Sequence, residues 1–257
     1  MLAINKRGQI AIYVIIAIVI IAVVLVVVFY PRIRSTITPA EFSPYSYLKD
    51  CISPELKTAV SLLASQGGYK NPQGFILNND IKIKYLCYTS EYYKTCVVQE
   101  PMIKNTFESE LQKLVNAKAN ECSRALIDEY KKRSYQVSAS SITSQVSIIP
   151  NKIRIEFLAP MTITKQTSQT FKSFSVDINS EIYDLLLTAQ SIVSYESTLG
   201  GSETTVYLQY YPDLKIEKTK TDDGSTIYKL SNVVSKDEFT FASRSLPWPP
   251  GYGLTTP

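Results

Sequence analysis

Four cysteines, Cys51, Cys87, Cys96 and Cys122, are the side chains of this 257-residue chain best suited to covalent chemistry. None is paired as Cys-x-x-Cys. A zinc site would need all four thiolates at poor spacing, so no metal or cofactor is expected. An even number of cysteines fits two disulfides in an oxidising exterior. Four cysteines allow three pairings. Cys87 and Cys96 would close a small loop, Tyr88 to Thr95, between two apolar runs, and Cys51–Cys122 would tie two helices; this pairing is favoured. In the chain-entropy description the short loop is worth about 2.5–3 kcal/mol and the long one about 4 kcal/mol.

The remaining chemistry is limited by one absence: the chain contains no histidine. That excludes Ser-His-Asp and Cys-His catalysis, histidine general bases and histidine metal sites. The nine glycines form no phosphate-cradling loop, and no Gly-x-Ser-x-Gly occurs. Asp222-Asp223 and Asp237-Glu238 are adjacent carboxylates in turn-like settings, which read as solvated loops rather than as an acid–base pair. No catalytic residue is assigned, and an enzyme is not expected. Net charge is +4 with scattered basic residues. The one tight run, Lys131-Lys132-Arg133, falls where a helix should end and suits its dipole, so nucleic acid is not an expected partner.

The elements that must carry these cysteines follow an apolar run from Ile10 to Tyr30, 21 residues without charge, amide, Gly or Pro. As a helix it would be about 31 Å long, one hydrocarbon thickness. It exceeds the apolar stretch of a removable secretory signal and ends in Phe29-Tyr30-Pro31-Arg32 instead of small residues. The predicted fold is therefore α+β: a long N-terminal transmembrane or filament-core helix, then an extracellular domain with helices packed on an antiparallel sheet. Ile10, Ile15, Ile18, Ile21, Val24 and Val28 represent the apolar core of that helix, and membrane lipid is an expected partner. Its alanines are not spaced four apart, so no Gly-x-x-x-Gly type dimer is indicated.

Boundaries fall at 1–8 (leader), 9–30 (helix), 31–43 (stalk), 44–245 (α+β domain) and 246–257 (Pro/Gly-rich tail). Ser43-Pro44 and Ser53-Pro54 both read as helix starts, giving two abutting helices or one kinked at Pro54, ended by Gly67-Gly68. Ile81–Tyr85 alternates as a strand. Asn105 and Glu108 have capping-box spacing ahead of the stripe Phe107, Leu111, Leu114, Val115, Cys122, Leu126 and Tyr130. The period then falls to two through four segments between Tyr135 and Ile178, an antiparallel meander. A helix from Glu181 to Thr198, capped by Asn179 or Ser180, stops at Gly200-Gly201. Strands flank the turn Asp222-Asp223-Gly224-Ser225. Trp248, among the tail's prolines, reads either as a docking point or as a plug on the domain, the plug being favoured.

Residues 6–30 resemble an archaeal class III signal sequence, the leader of type IV pilin-like proteins. The resemblance implies that a prepilin-peptidase-like enzyme recognises Arg7-Gly8 and cuts after Gly8, leaving Gln9 at the head of a retained apolar helix that becomes a filament core. The Glu common at the fifth mature position is replaced here by Tyr13. More loosely, Cys51, Gln66-Gly67-Gly68-Tyr69 and Cys122 resemble uncharacterised pilin-like membrane proteins of small-genome archaea. The implied function is a structural subunit of a pilus-like cell-surface filament, partnered by its own copies, with the outer domain exposed for adhesion. The alternative is a permanently anchored single-pass protein whose outer domain binds a surface partner.

Overall fold

The computed structural model describes residues 16–25 and 43–248. The chain forms two units, Met1–Ser46 and Tyr47–Pro257.

In the first unit, helix α1 is described over residues 16–25. Ile18, Ile21 and Val24 lie in it and are more than half exposed. Ten residues rise about 15 Å, half of a hydrocarbon core. The long spanning helix expected over 9–30 is therefore corrected: among the described residues no helix is long and apolar enough to cross a membrane. The described part of the apolar run is ten residues long, fewer than a spanning helix needs. Ile10, Ile15 and Val28 lie outside the described residues, as do Arg7, Gly8 and Gln9.

The second unit is α+β, with two sheets in place of the single sheet expected. Its elements are α2 (Pro44–Ser65), β1 (Phe75–Asn78), β2 (Ile81–Tyr88), β3 (Val97–Val98), α3 (Ile103–Lys132), β4 (Gln136–Ala139), β5 (Thr143–Ile149), β6 (Lys152–Thr164), β7 (Ser168–Asn179), α4 (Ile182–Leu199), α5 (Thr205–Tyr210), β8 (Leu214–Lys220), β9 (Thr226–Asn232) and β10 (Glu238–Arg244). The first sheet runs β1-β2-β10-β9-β8, with β3 also on β2. It is not wholly antiparallel: β10 lies parallel to β2, pairing Ala242 with Tyr85 and Arg244 with Tyr88. Long connections through α3, the second sheet and α4 separate these two strands in sequence, which is what a parallel pair requires.

The second sheet is built on the 13-residue strand β6. Ile153, Ile155, Phe157, Ala159, Met161 and Ile163 alternate into the core. β7 pairs along one edge, and β5 and then β4 along the other. Register shifts between Leu158 and Met161, where Pro160 interrupts the ladder; a bulge is how a central strand tolerates a residue without an N–H.

Helix α3 joins the layers. Ile103, Phe107, Leu111, Val115, Ala119, Cys122, Leu126 and Tyr130 are buried at steps of three and four, a single stripe along 30 residues. Phe107 meets Phe239 of the first sheet at 6.5 Å between ring centroids. The expected capping box does not form: α3 begins at Ile103, and its Ncap Met102 makes no side-chain cap bond. Glu108 instead accepts from the backbone N–H of Ile148 at 2.7 Å and from Lys104 at 2.8 Å. Asn116 accepts from Ser144 N–H, and Asn120 both accepts from and donates to the Ile142 backbone. These three side chains cover the outer edge of β5, which would otherwise offer unpaired donors to another strand.

α2 continues through Pro54 as one helix. It ends at Gly67 and Gly68, both at positive φ, with Gly68 N–H bonded to Leu63 O. A Cβ on Gly67 would sit 2.7 Å from Lys84 Cβ, so glycine is required both for conformation and for approach to β2. Disulfide Cys51–Cys122 joins α2 to α3 with Cα atoms 6.1 Å apart and a sequence separation of 71. Removing it as Cys51→Ala/Cys122→Ala should cost about 4 kcal/mol by loop entropy. Urea unfolding should show a lower midpoint; an unchanged midpoint would mean the bond constrains nothing.

Candidate interaction surface

The second disulfide, Cys87–Cys96, closes the base of a loop whose tip is aromatic. Its Cα atoms are 5.4 Å apart. β2 and β3 pair directly beside it, Cys87 opposite Val98 and Tyr88 opposite Val97. Within the loop Thr89 Oγ1 accepts from Glu91 N–H at 3.1 Å. Glu91 and Lys94 form an ion pair at 2.6 Å across the turn. Tyr92 and Tyr93 occupy the two central positions, 57% and 67% exposed. Tyr93 has φ 64°, a left-handed conformation that a bulky side chain adopts only when its surroundings impose it. Lys94 is also bridged to Leu246, fixing the loop's flank to the segment after β10.

Below the loop lies a buried polar chain. Glu196 of α4 is 4% exposed. Its carboxylate accepts from Tyr228 Oη and, at 3.2 Å, from Ser243 Oγ. Ser243 Oγ lies 3.7 Å from Cys96 Sγ. Ser245 Oγ donates to the Glu196 carbonyl and accepts from Cys96 N–H, both at 3.0 Å. The disulfide loop is thus tied through β10 to the last turns of α4. Lys218 supplies a neighbouring positive charge: its Nζ donates to Ser202 O at 2.8 Å and lies over the Tyr228 ring at 5.4 Å. Burial lowers the Lys218 pKa, opposed by the Glu196 charge. Burial, reinforced by Glu196, holds the Tyr228 hydroxyl far above the ordinary tyrosine range and therefore protonated. Gly200 ends α4 at φ 78°; a Cβ there would lie 1.9 Å from Pro247 Cγ, so this close approach excludes every other residue. Trp248, expected as a plug, is 60% exposed and fills no core position.

Three of the four adjacent carboxylates, Asp223, Asp237 and Glu238, have structural partners. Asp223 accepts from Thr221 Oγ1, Ser225 N–H and Ser225 Oγ, closing the β8–β9 turn. Asp237 accepts from Glu181 N–H at 2.6 Å at the start of α4, and Glu238 pairs with Lys229 at 2.9 Å. Ser180 Oγ accepts from Ile182 N–H at 3.2 Å, while the Ncap position is taken by Glu181. Among the described residues no group of three or more His, Cys, Asp or Glu could hold a metal ion.

All four cysteines are brought together in the pairs Cys51–Cys122 and Cys87–Cys96. The tyrosine pair was visible inside the cysteine loop, but nothing in the sequence showed its turn conformation. Glu196 had no signal at all, because its partners lie 32 and 47 residues away. Comparison with protein-family models, curated proteins and solved structures finds no match for this chain.

At the far end of α4, Glu181, Asp184 and Asp213 line a cavity of about 280 Å³ together with Tyr210 and Tyr211. Burial, then the charges of Asp184, Asp237 and Asp213, raise the Glu181 pKa above its ordinary 4.5. A carboxyl with a raised folded-state pKa destabilises the fold as pH rises from the unfolded value through the folded one. Glu181→Gln should therefore raise Tm at pH 7 and leave it unchanged near pH 3.5, where both states hold the proton. An equal gain at both pH values would show that charge is not the cause.

Proposed function

We propose that this chain is a structural subunit of a pilus-like cell-surface filament, assembled through its apolar N-terminal segment and carrying its disulfide-bonded domain outward. The observation that carries the reading is the pairing of two features in one chain. α1 displays eight large apolar side chains, Ile16 to Leu25, each about half exposed around the helix. The domain beyond it holds all four cysteines in disulfides, as oxidising surroundings favour. Apolar surface of that extent is stabilised by burial against copies of itself, at about 25 cal/mol per Å² removed from water. A repeating contact between identical subunits that does not close gives a filament.

The resemblance of Lys6-Arg7-Gly8-Gln9 to a class III leader supports the same reading, since cutting after Gly8 would free the apolar segment to bundle. The absence of histidine from the chain and the structural partners of its paired carboxylates favour a contact role over a catalytic one.

Filaments sheared from cells should contain this chain, with an intact mass lacking residues 1–8. Recovery of the natural chain only as an unprocessed monomer, absent from filaments, would reject the proposal.

A further inference from the structure

We propose that Tyr92 and Tyr93 form a stacking site for the flat faces of neutral sugar rings in a surface polysaccharide. The inference rests on the surface-display reading above and concerns what the displayed domain touches. Three links hold the backbone of the loop that carries the two rings: the Cys87–Cys96 disulfide at its base, the Glu91–Lys94 ion pair across the turn, and the Lys94–Leu246 bridge at its flank. Tyrosine supplies a large rigid face with only two rotatable angles, so little conformational freedom is lost on contact. The left-handed backbone of Tyr93 is the mark of an imposed presentation, since relaxing it would turn that ring elsewhere.

The chemistry around the rings selects the ligand. Glu91 and Lys94 neutralise one another at 2.6 Å, leaving no net charge to attract an ion. Ser90 and the two phenol hydroxyls supply exposed hydrogen-bonding groups for a hydroxyl-rich partner. The ring faces carry negative quadrupole charge that suits the C–H bonds of a pyranose.

The test uses the full-length chain with both disulfides intact, titrated with cellohexaose, mannohexaose and chitohexaose while tyrosine fluorescence is followed. At least one sugar should bind saturably at millimolar concentration or below. Tyr92→Ala/Tyr93→Ala should weaken that binding by roughly tenfold or more, whereas Tyr210→Ala, a change at an exposed tyrosine elsewhere, should leave it intact. Tyr93→Gly removes a ring together with the positive-φ penalty. It should weaken binding without lowering Tm, which separates lost contact from lost folding. Failure of all three sugars to bind, or full binding by the double variant, overturns the proposal. So does self-association of the purified chain through these tyrosines without sugar binding, which would assign them to a protein contact. The filament reading fails separately, by recovery of unprocessed monomer, while sugar binding by the isolated chain would stand.

Discussion

The buried stripe of α3 is the constraint from which the rest of the domain follows. One helix of 30 residues must satisfy two sheets: its early turns meet Phe239, and its middle turns lie on β5. Residues that continue the stripe cannot be moved by one position without turning the apolar face outward. The polar positions beside it are equally committed. Glu108, Asn116 and Asn120 point to the edge of β5 and take over the hydrogen bonds that a further strand would make. Cys122 lies within the same stripe, so the bond to Cys51 fastens α2 to the element already holding both sheets.

The first sheet and α4 extend that framework to the aromatic loop. β10 is its centre, between β2 and β9, with Phe239 and Phe241 in the core. At its end Ser243, and just beyond it Ser245, carry hydroxyls that meet Glu196 and Cys96. A buried carboxylate is costly unless it is hydrogen-bonded, and here the donors come from β9 and β10. The arrangement holds the disulfide at the base of the loop that carries Tyr92 and Tyr93.

Local patterns made much of this fold legible. The period-two run in β6, the hairpin at Asp222–Ser225, the glycine stop after α2 and the stripe of α3 all follow from residue spacing. The pairing Cys87–Cys96 followed from its short loop. Long-range choices were not legible. Nothing local distinguishes one sheet from two, or signals that β10 would lie parallel to β2 across more than 150 residues of sequence. The capping-box spacing at Asn105 and Glu108 misled because Glu108 had a tertiary partner of greater value, the Ile148 amide. α5 is short and lacks a buried face, so no periodicity announced it. The apolar run near the start misled in another way: composition indicated a membrane-crossing helix, whereas α1 as described, residues 16–25, is too short to cross a membrane.

Both cross-links of the domain, Cys51–Cys122 and Cys87–Cys96, are formed in the folded chain. Peptide mapping of the natural protein under non-reducing conditions tests this most directly. Two linked species should appear, one joining the Cys51 and Cys122 peptides and one containing Cys87 bonded to Cys96, each lost on reduction. Four alkylatable thiols in protein freshly isolated under thiol-trapping conditions would contradict it.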